Sequence, residues 1–164
     1  MRVLVVAASK YGATAEIAST IGEVLNTHGC EATVASPDQV VGVEAYDAVV
    51  LGSAVYAGHW LKPAKELVGR LGGTLGSRPI WLFSSGPIGE PPKPEEDPVD
   101  VAAIVAATGA RDHQVFTGKL DKRRLSFPEQ AITIALRVPD GDFRDWDAIR
   151  SWATAIADDL ASVS

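Results

Sequence analysis

The sequence predicts an α/β fold, a doubly wound five-stranded parallel sheet with helices on both faces. Two observations carry that prediction. Apolar runs of strand length alternate along the chain with amphipathic runs of helix length, and glycine or proline punctuates them. The first apolar run, Val3 to Ala7, passes through Ser9-Lys10-Tyr11-Gly12-Ala13-Thr14 straight into a helical pattern. In that layout the first N–H groups of the helix are unpaired and its dipole is positive, so the turn is suited to hold a phosphate.

Taken in order, the first helix covers about Thr14 to His28, with Ile17, Ile21, Val24 and Leu25 on one face and Gly29 at its end. Ala32 to Ala35 reads as the second strand. Asp47 to Gly52 is a continuous apolar strand of the kind buried on both faces in a parallel sheet. Pro63 opens the next helix, whose stripe is Ala64, Leu67, Val68 and Leu71, and Gly72-Gly73 stops it. Pro79 to Phe83 is the fourth strand. Asp97-Pro98 starts a helix with Val101, Ile104 and Val105 inward, closed by Gly109, and Gln114 to Thr117 is the fifth strand. The last helix runs from about Asp145 and buries Ile149, Trp152, Ile156 and Leu160. Ser126 to Val138 lies between the fifth strand and that helix as an insertion. Within it, Ser126 and Glu129 make a capping-box pair, while Ile132, Ile134, Leu136 and Val138 alternate like a strand; helix is the expectation.

At 164 residues and 46% hydrophobic, the chain is expected to form one domain, residues 1–164. A net charge of -6 argues against nucleic acid, which needs clustered cations, and suits basic protein partners. Cys30 is the single cysteine, so no internal disulfide forms, and it is read as buried and inert on the far edge of the sheet. The N-terminal apolar run is too short for a signal peptide, and no stretch approaches the roughly 20 apolar residues of a spanning helix. A cytoplasmic location is expected.

Open parallel sheets bind ligands beyond the carboxyl ends of their strands. Three loops leave such ends: Ser9 to Thr14, Ser53-Ala54-Val55-Tyr56-Ala57-Gly58-His59-Trp60, and Ser84-Ser85-Gly86-Pro87-Ile88-Gly89. A phosphate cradle beside an aromatic loop points to a phosphorylated ligand with a flat ring. Tyr56 and Trp60 read either as packing residues or as stacking partners for such a ring, and His59 as a hydrogen-bonded surface histidine or a proton donor.

With Ser9, Gly12 and Thr14 in register with the pattern Thr/Ser-x-Thr-Gly-x-Thr, and Tyr11 where a hydroxyl residue is usual, the chain resembles the flavodoxin family. Leu51-Gly52-Ser53, Tyr56-Ala57-Gly58-His59 and Asp142-Phe143-Arg144-Asp145-Trp146 are similar to its branch of menaquinone-dependent protoporphyrinogen oxidases. The resemblance implies FMN as cofactor. By that likeness Ser9, Lys10, Tyr11, Gly12, Ala13 and Thr14 hold its phosphate, while Ser53 to Trp60 and Ser84 to Gly89 flank the isoalloxazine ring. It also implies redox chemistry: oxidation of a protoporphyrinogen-like substrate or reduction of a quinone, or else electron carriage between protein partners. A flavin-free interaction domain on the same fold is a third reading, and a deazaflavin presents the same flat ring and phosphate as FMN.

The third loop contains no aromatic residue, which leaves one flavin face open and favours an enzyme over a carrier. Glu90, Glu95, Glu96 and Asp97 behind it read as a solvated run or as charge that disfavours a reduced, anionic flavin. Lys122-Arg123-Arg124 reads as a solvated turn or as a contact for an acidic partner or lipid surface. Other tenants of this fold class fail on motifs. The acidic cluster of a phosphate receiver, G-x-x-x-x-G-K-[ST], G-x-G-x-x-G and a first-loop phosphatase cysteine are all missing from the Ser9 to Thr14 region. Asp38, following Pro37, reads as a helix cap.

Overall fold

A computed structural model describes residues 1–56, 58–86, 98–120, 141–142 and 144–162. Five strands run parallel: β1 (Arg2–Ala8), β2 (Glu31–Ala35), β3 (Ala48–Tyr56), β5 (Ile80–Ser85) and β6 (Asp112–Phe116), in the order β2-β1-β3-β5-β6. The chain departs from β1 to one side and returns on the other, so the order reverses between β1 and β3. That reversal is the switch point at which ligands sit in open sheets of this kind. A short β4 (His59–Trp60) folds back antiparallel onto the end of β3, an addition to the five strands expected.

Alternation along β1 divides the core. Val3, Val5 and Ala7 face α1 (Ala13–Thr27) and α4 (Trp146–Ser162); Leu4, Val6 and Ala8 face α2 (Lys62–Gly76) and α3 (Val101–Thr108). The expected inward residues of α1 and α4 are there: Ile17, Ile21, Leu25, Ile149, Trp152, Ile156 and Leu160 are all buried, and Val24 is partly so. Phe83, Phe116 and Trp152 meet edge-on or tilted with ring centroids 5.5–6.1 Å apart. Trp152 Nε1 donates to Asp112 Oδ2 at 2.9 Å, which fixes α4 to the β6 edge. The Asp145 carboxylate accepts the Ala148 N–H at 3.0 Å and caps α4.

Several boundaries differ from the sequence reading. The Gly72-Gly73 pair does not stop α2, which continues to Gly76. Leu75, fully buried one turn later, offsets the two glycines: each costs about 1 kcal/mol in a helix, whereas a buried leucine contributes about 1.5–3 kcal/mol. Asp38 is not a cap. Ser36 precedes a single 3-10 turn, Pro37–Gln39; its N–H donates to Gln39 Oε1 at 2.9 Å and its hydroxyl to Asp38 Oδ1 at 2.7 Å. The fifth strand begins two residues earlier than expected, because Asp112 and His113 hide a strand start behind polar side chains. Cys30 is half-buried just before β2, at the amino end of the sheet.

The insertion is entered and left by an antiparallel ribbon, β7 (Lys119–Leu120) with β8 (Gly141–Asp142). The helix expected over Ser126 to Val138, the Lys122-Arg123-Arg124 cluster and the acidic run Glu90 to Asp97 lie outside the described residues.

Candidate functional site at the carboxyl ends of β1, β3 and β5

The turn after β1 takes its shape from Gly12, the residue before α1, whose φ of 90° is left-handed and favours glycine. A Cβ at this position would meet nothing within 4 Å, so space stands open over the turn. Ser9 Oγ accepts the Gly12 N–H at 3.0 Å, and Gly12 O accepts the Glu16 N–H at 3.0 Å. Among the described residues, no side chain caps the first turn of α1, since the residue at the cap position is Gly12. The N–H groups that a capping residue would otherwise occupy are thus left to a ligand or solvent, and an anion with several oxygens fits that donor set. Thr14 is buried in this turn, while Lys10 is exposed and Tyr11 half-buried.

The second loop is mostly strand. Ser53, Ala54, Val55 and Tyr56 continue β3, because their backbones pair with β1 or β5 up to Ala54 and with β4 beyond it. Gly58, at φ 79°, makes the reversal, and Ala57 lies outside the described residues. Tyr56 is exposed at 37% and its ring stands edge-on to Tyr11 at 6.4 Å. The Lys10 ammonium lies 5.3 Å from the Tyr11 centroid and 5.7 Å from that of Tyr56, so the first two loops meet at a cation held between two phenol rings.

Trp60 corrects an expectation. It is 2% exposed, packs in the core on the α2 and α3 side, and donates through Nε1 to Ser84 Oγ at 2.8 Å. Its ring is therefore a core residue and not a wall of the site. Ser84 and Ser85 are likewise strand residues of β5, both buried. Ser84 Oγ also shares a 2.7 Å hydrogen bond with His113 Nε2, which closes a polar chain from β4 through β5 to β6. Gly86 follows β5 and packs closely: a side chain there would press on Val55, and one at Gly118 would press on Gly86. Pro87, Ile88 and Gly89 lie outside the described residues.

Two groups that the sequence reading gave no role hold these loops together. Asp100, just before α3, accepts the Trp60 N–H at 2.9 Å, bonds His59 Nδ1 at 3.2 Å and pairs with Lys65 at 3.7 Å, while Val99 N–H donates to Gly58 O at 2.8 Å. Partial burial raises the Asp100 pKa, but the Trp60 N–H, His59 and Lys65 outweigh it and hold the carboxyl below its usual range. The contribution of this cluster to stability is therefore complete above the unfolded carboxyl value of about 3.9 and is lost as pH falls through the lower folded-state value. His59 and Lys65 are well exposed, which screens the pairs. Asp100→Asn should lower unfolding free energy at pH 7 by up to about 1 kcal/mol, and the difference from the parent should shrink to nothing as denaturant titrations are repeated toward pH 2. A difference that persists at the acid end would assign the effect to shape and not to charge. Arg144, the second such group, forms a fork on Asp142 with Nε–Oδ1 at 2.9 Å and Nη2–Oδ2 at 2.7 Å.

A model of the flavodoxin domain matches residues 4–143. The chain belongs to the flavodoxin family. Among solved structures, a flavodoxin from the domain Archaea superposes with a TM-score of 0.70 at 16% identity, covering 98% of this chain and 99% of the other. A flavodoxin, WrbA-like protein from Agrobacterium tumefaciens gives 0.63 at 14%, covering 98% of each chain. The rubredoxin oxygen:oxidoreductase of Desulfovibrio gigas gives 0.66 at 14%; the match takes in 98% of this chain and 36% of that one. At these identities the structures show the shared flavodoxin fold. No curated protein sequence matches the chain. FMN is the cofactor of the flavodoxin family. The residues present fit its phosphate, since the turn at Gly12 is uncapped and open. Among the described residues, no helix is long and apolar enough to cross a membrane.

Proposed function

We propose that residues 1–164 form one FMN-binding domain that catalyses redox exchange with a quinone or a protoporphyrinogen-like substrate, as in the branch of menaquinone-dependent protoporphyrinogen oxidases that the sequence resembles. The observation that supports flavin binding most is the uncapped first turn of α1 behind a left-handed Gly12. Bound FMN would supply a ring that accepts two electrons and returns them one or two at a time. The backbone of Ser9 to Thr14 takes the phosphate. Tyr56 and Tyr11, with Lys10 between them, stand where the second loop meets the first and border the ring on one side. Gly58 and His59, fixed by Val99 and Asp100, set the depth to which the ring enters. Ser53, Trp60, Ser84 and Ser85 act from beneath, holding the strand ends in place. No aromatic residue occurs in Ser84 to Gly89, so a flat substrate has an open side from which to approach.

The net charge of -6 favours a second reading, electron carriage from a basic protein partner found by electrostatic steering. Turnover with a quinone or a porphyrinogen separates the two. The test common to both is titration of the purified protein with FMN, riboflavin and a deazaflavin, followed by flavin fluorescence. FMN should bind at least about tenfold more tightly than riboflavin, because only FMN engages the N–H groups of the cradle with an anion. No binding to any flavin would overturn the proposal and leave an interaction domain.

A further inference from the structure

Arg144 reaches 131 residues back along the chain to the cradle. Its side chain is 4% exposed, and the guanidinium has a partner on every side. Asp142 takes the fork. Nη1 then donates to Ala13 O at 3.3 Å and lies 3.3 Å from Glu16 Oε1, both in the first turn of α1. The Trp146 ring covers the cation at 4.7 Å. The hydrogen bonds that Arg144 donates to Asp142, opposed by burial and supported by Glu16, hold the Arg144 pKa above its ordinary value, so the charge is permanent.

This arrangement answers an electrostatic difficulty. Glu16 suits the positive end of the helix when the cradle is empty but repels an incoming phosphate. A buried guanidinium against Glu16 neutralises that repulsion, and its bond to Ala13 O fixes the turn whose N–H groups do the binding. Asp142 belongs to β8, so the same side chain joins the β7–β8 ribbon to the cradle.

We infer that Arg144 is a positioning residue that couples the β7–β8 ribbon to the phosphate cradle, so that a phosphate monoester in the cradle and pairing of the ribbon stabilise each other. The inference rests on the FMN reading above. Coupling of this kind is reciprocal, which gives two readouts.

The test measures FMN and riboflavin affinities for the full chain and its Arg144→Gln, Arg144→Lys and Asp142→Asn variants, alongside hydrogen exchange of the ribbon amides with and without FMN. The FMN-over-riboflavin preference should fall roughly tenfold in Arg144→Gln and Asp142→Asn, the loss expected for a charged hydrogen bond. Arg144→Lys should fall nearly as far, because an ammonium keeps the charge but cannot grip Asp142 and Ala13 together. FMN should slow ribbon exchange in the parent and not in Arg144→Gln. Variants that lose thermal stability yet keep the parent's preference would overturn the inference and make Arg144 a brace only. Full retention in Arg144→Lys would overturn the positioning role in favour of charge alone. A parent that does not prefer FMN over riboflavin would instead sink the phosphate reading, and this inference with it.

Discussion

Gly52→Ala should destabilise the protein by about 3 kcal/mol, at the upper end of what overpacking a core costs. Gly52 sits in β3 opposite Phe83 of β5, and an added Cβ would collide with the outer end of the Phe83 ring, closer than non-bonded carbon atoms approach one another. Phe83 cannot retreat. It is fully buried and wedged against Phe116 and Trp152, so relief requires the whole aromatic cluster or the β3–β5 pairing to shift. Denaturant titration of four proteins tests this: parent, Gly52→Ala, Phe83→Leu and the double variant. Because the two side chains share one space, alanine at position 52 should cost at least about 1 kcal/mol less when leucine is at 83. A cost under about 0.5 kcal/mol for Gly52→Ala alone would mean that the sheet opens there without penalty.

Trp60→Ala should cost about 3–5 kcal/mol, the range for deleting a large aromatic side chain from a core. The substitution empties a site on the α2 and α3 side and removes the indole N–H that Ser84 Oγ receives, leaving that oxygen its bond to His113. Trp60→Phe separates the two contributions. It keeps most of the volume and should cost about 1–2 kcal/mol, chiefly the lost hydrogen bond. Its FMN affinity should stay within about threefold of the parent, since a buried ring does not face the ligand. A variant with unchanged stability and tenfold weaker FMN binding would place the indole in the site instead.

Trp60 also shows where the sequence is legible and where it is not. Periodicity places the helices, since Ile17, Ile21 and Leu25, or Ile149, Trp152 and Ile156, repeat at helical spacing and each stripe faces the sheet. Continuous apolar runs place β1, β3 and β5 for the same reason. Strand ends are harder to read. Ser53, Ser84 and Ser85 have the side chains of loop residues, but strands inside a sheet have partners on both sides, and pairing carries them beyond the last apolar residue. The glycine pair in α2 misleads similarly, because local propensity yields to the burial of Leu75. In the site, the cradle is local and can be read from Ser9 to Thr14 alone. Asp100 and Arg144 cannot, since an acid before one helix or an arginine before another carries no mark of a partner 40 or 131 residues away.

The position of α1 has a consequence for how the chain is made. Part of its apolar face rests on the sheet, and the rest is covered only by α4, which begins about 120 residues later. On a ribosome moving at roughly 5–20 residues per second, that face waits on the order of ten seconds for its cover. During that interval Ile17, Ile21 and Leu25 form a greasy stripe on a nascent helix, attractive to chaperones and to other unfinished chains. Slow codons between β6 and α4 would lengthen the exposure, and misfolding in the cell would respond to translation speed even where the finished protein is stable.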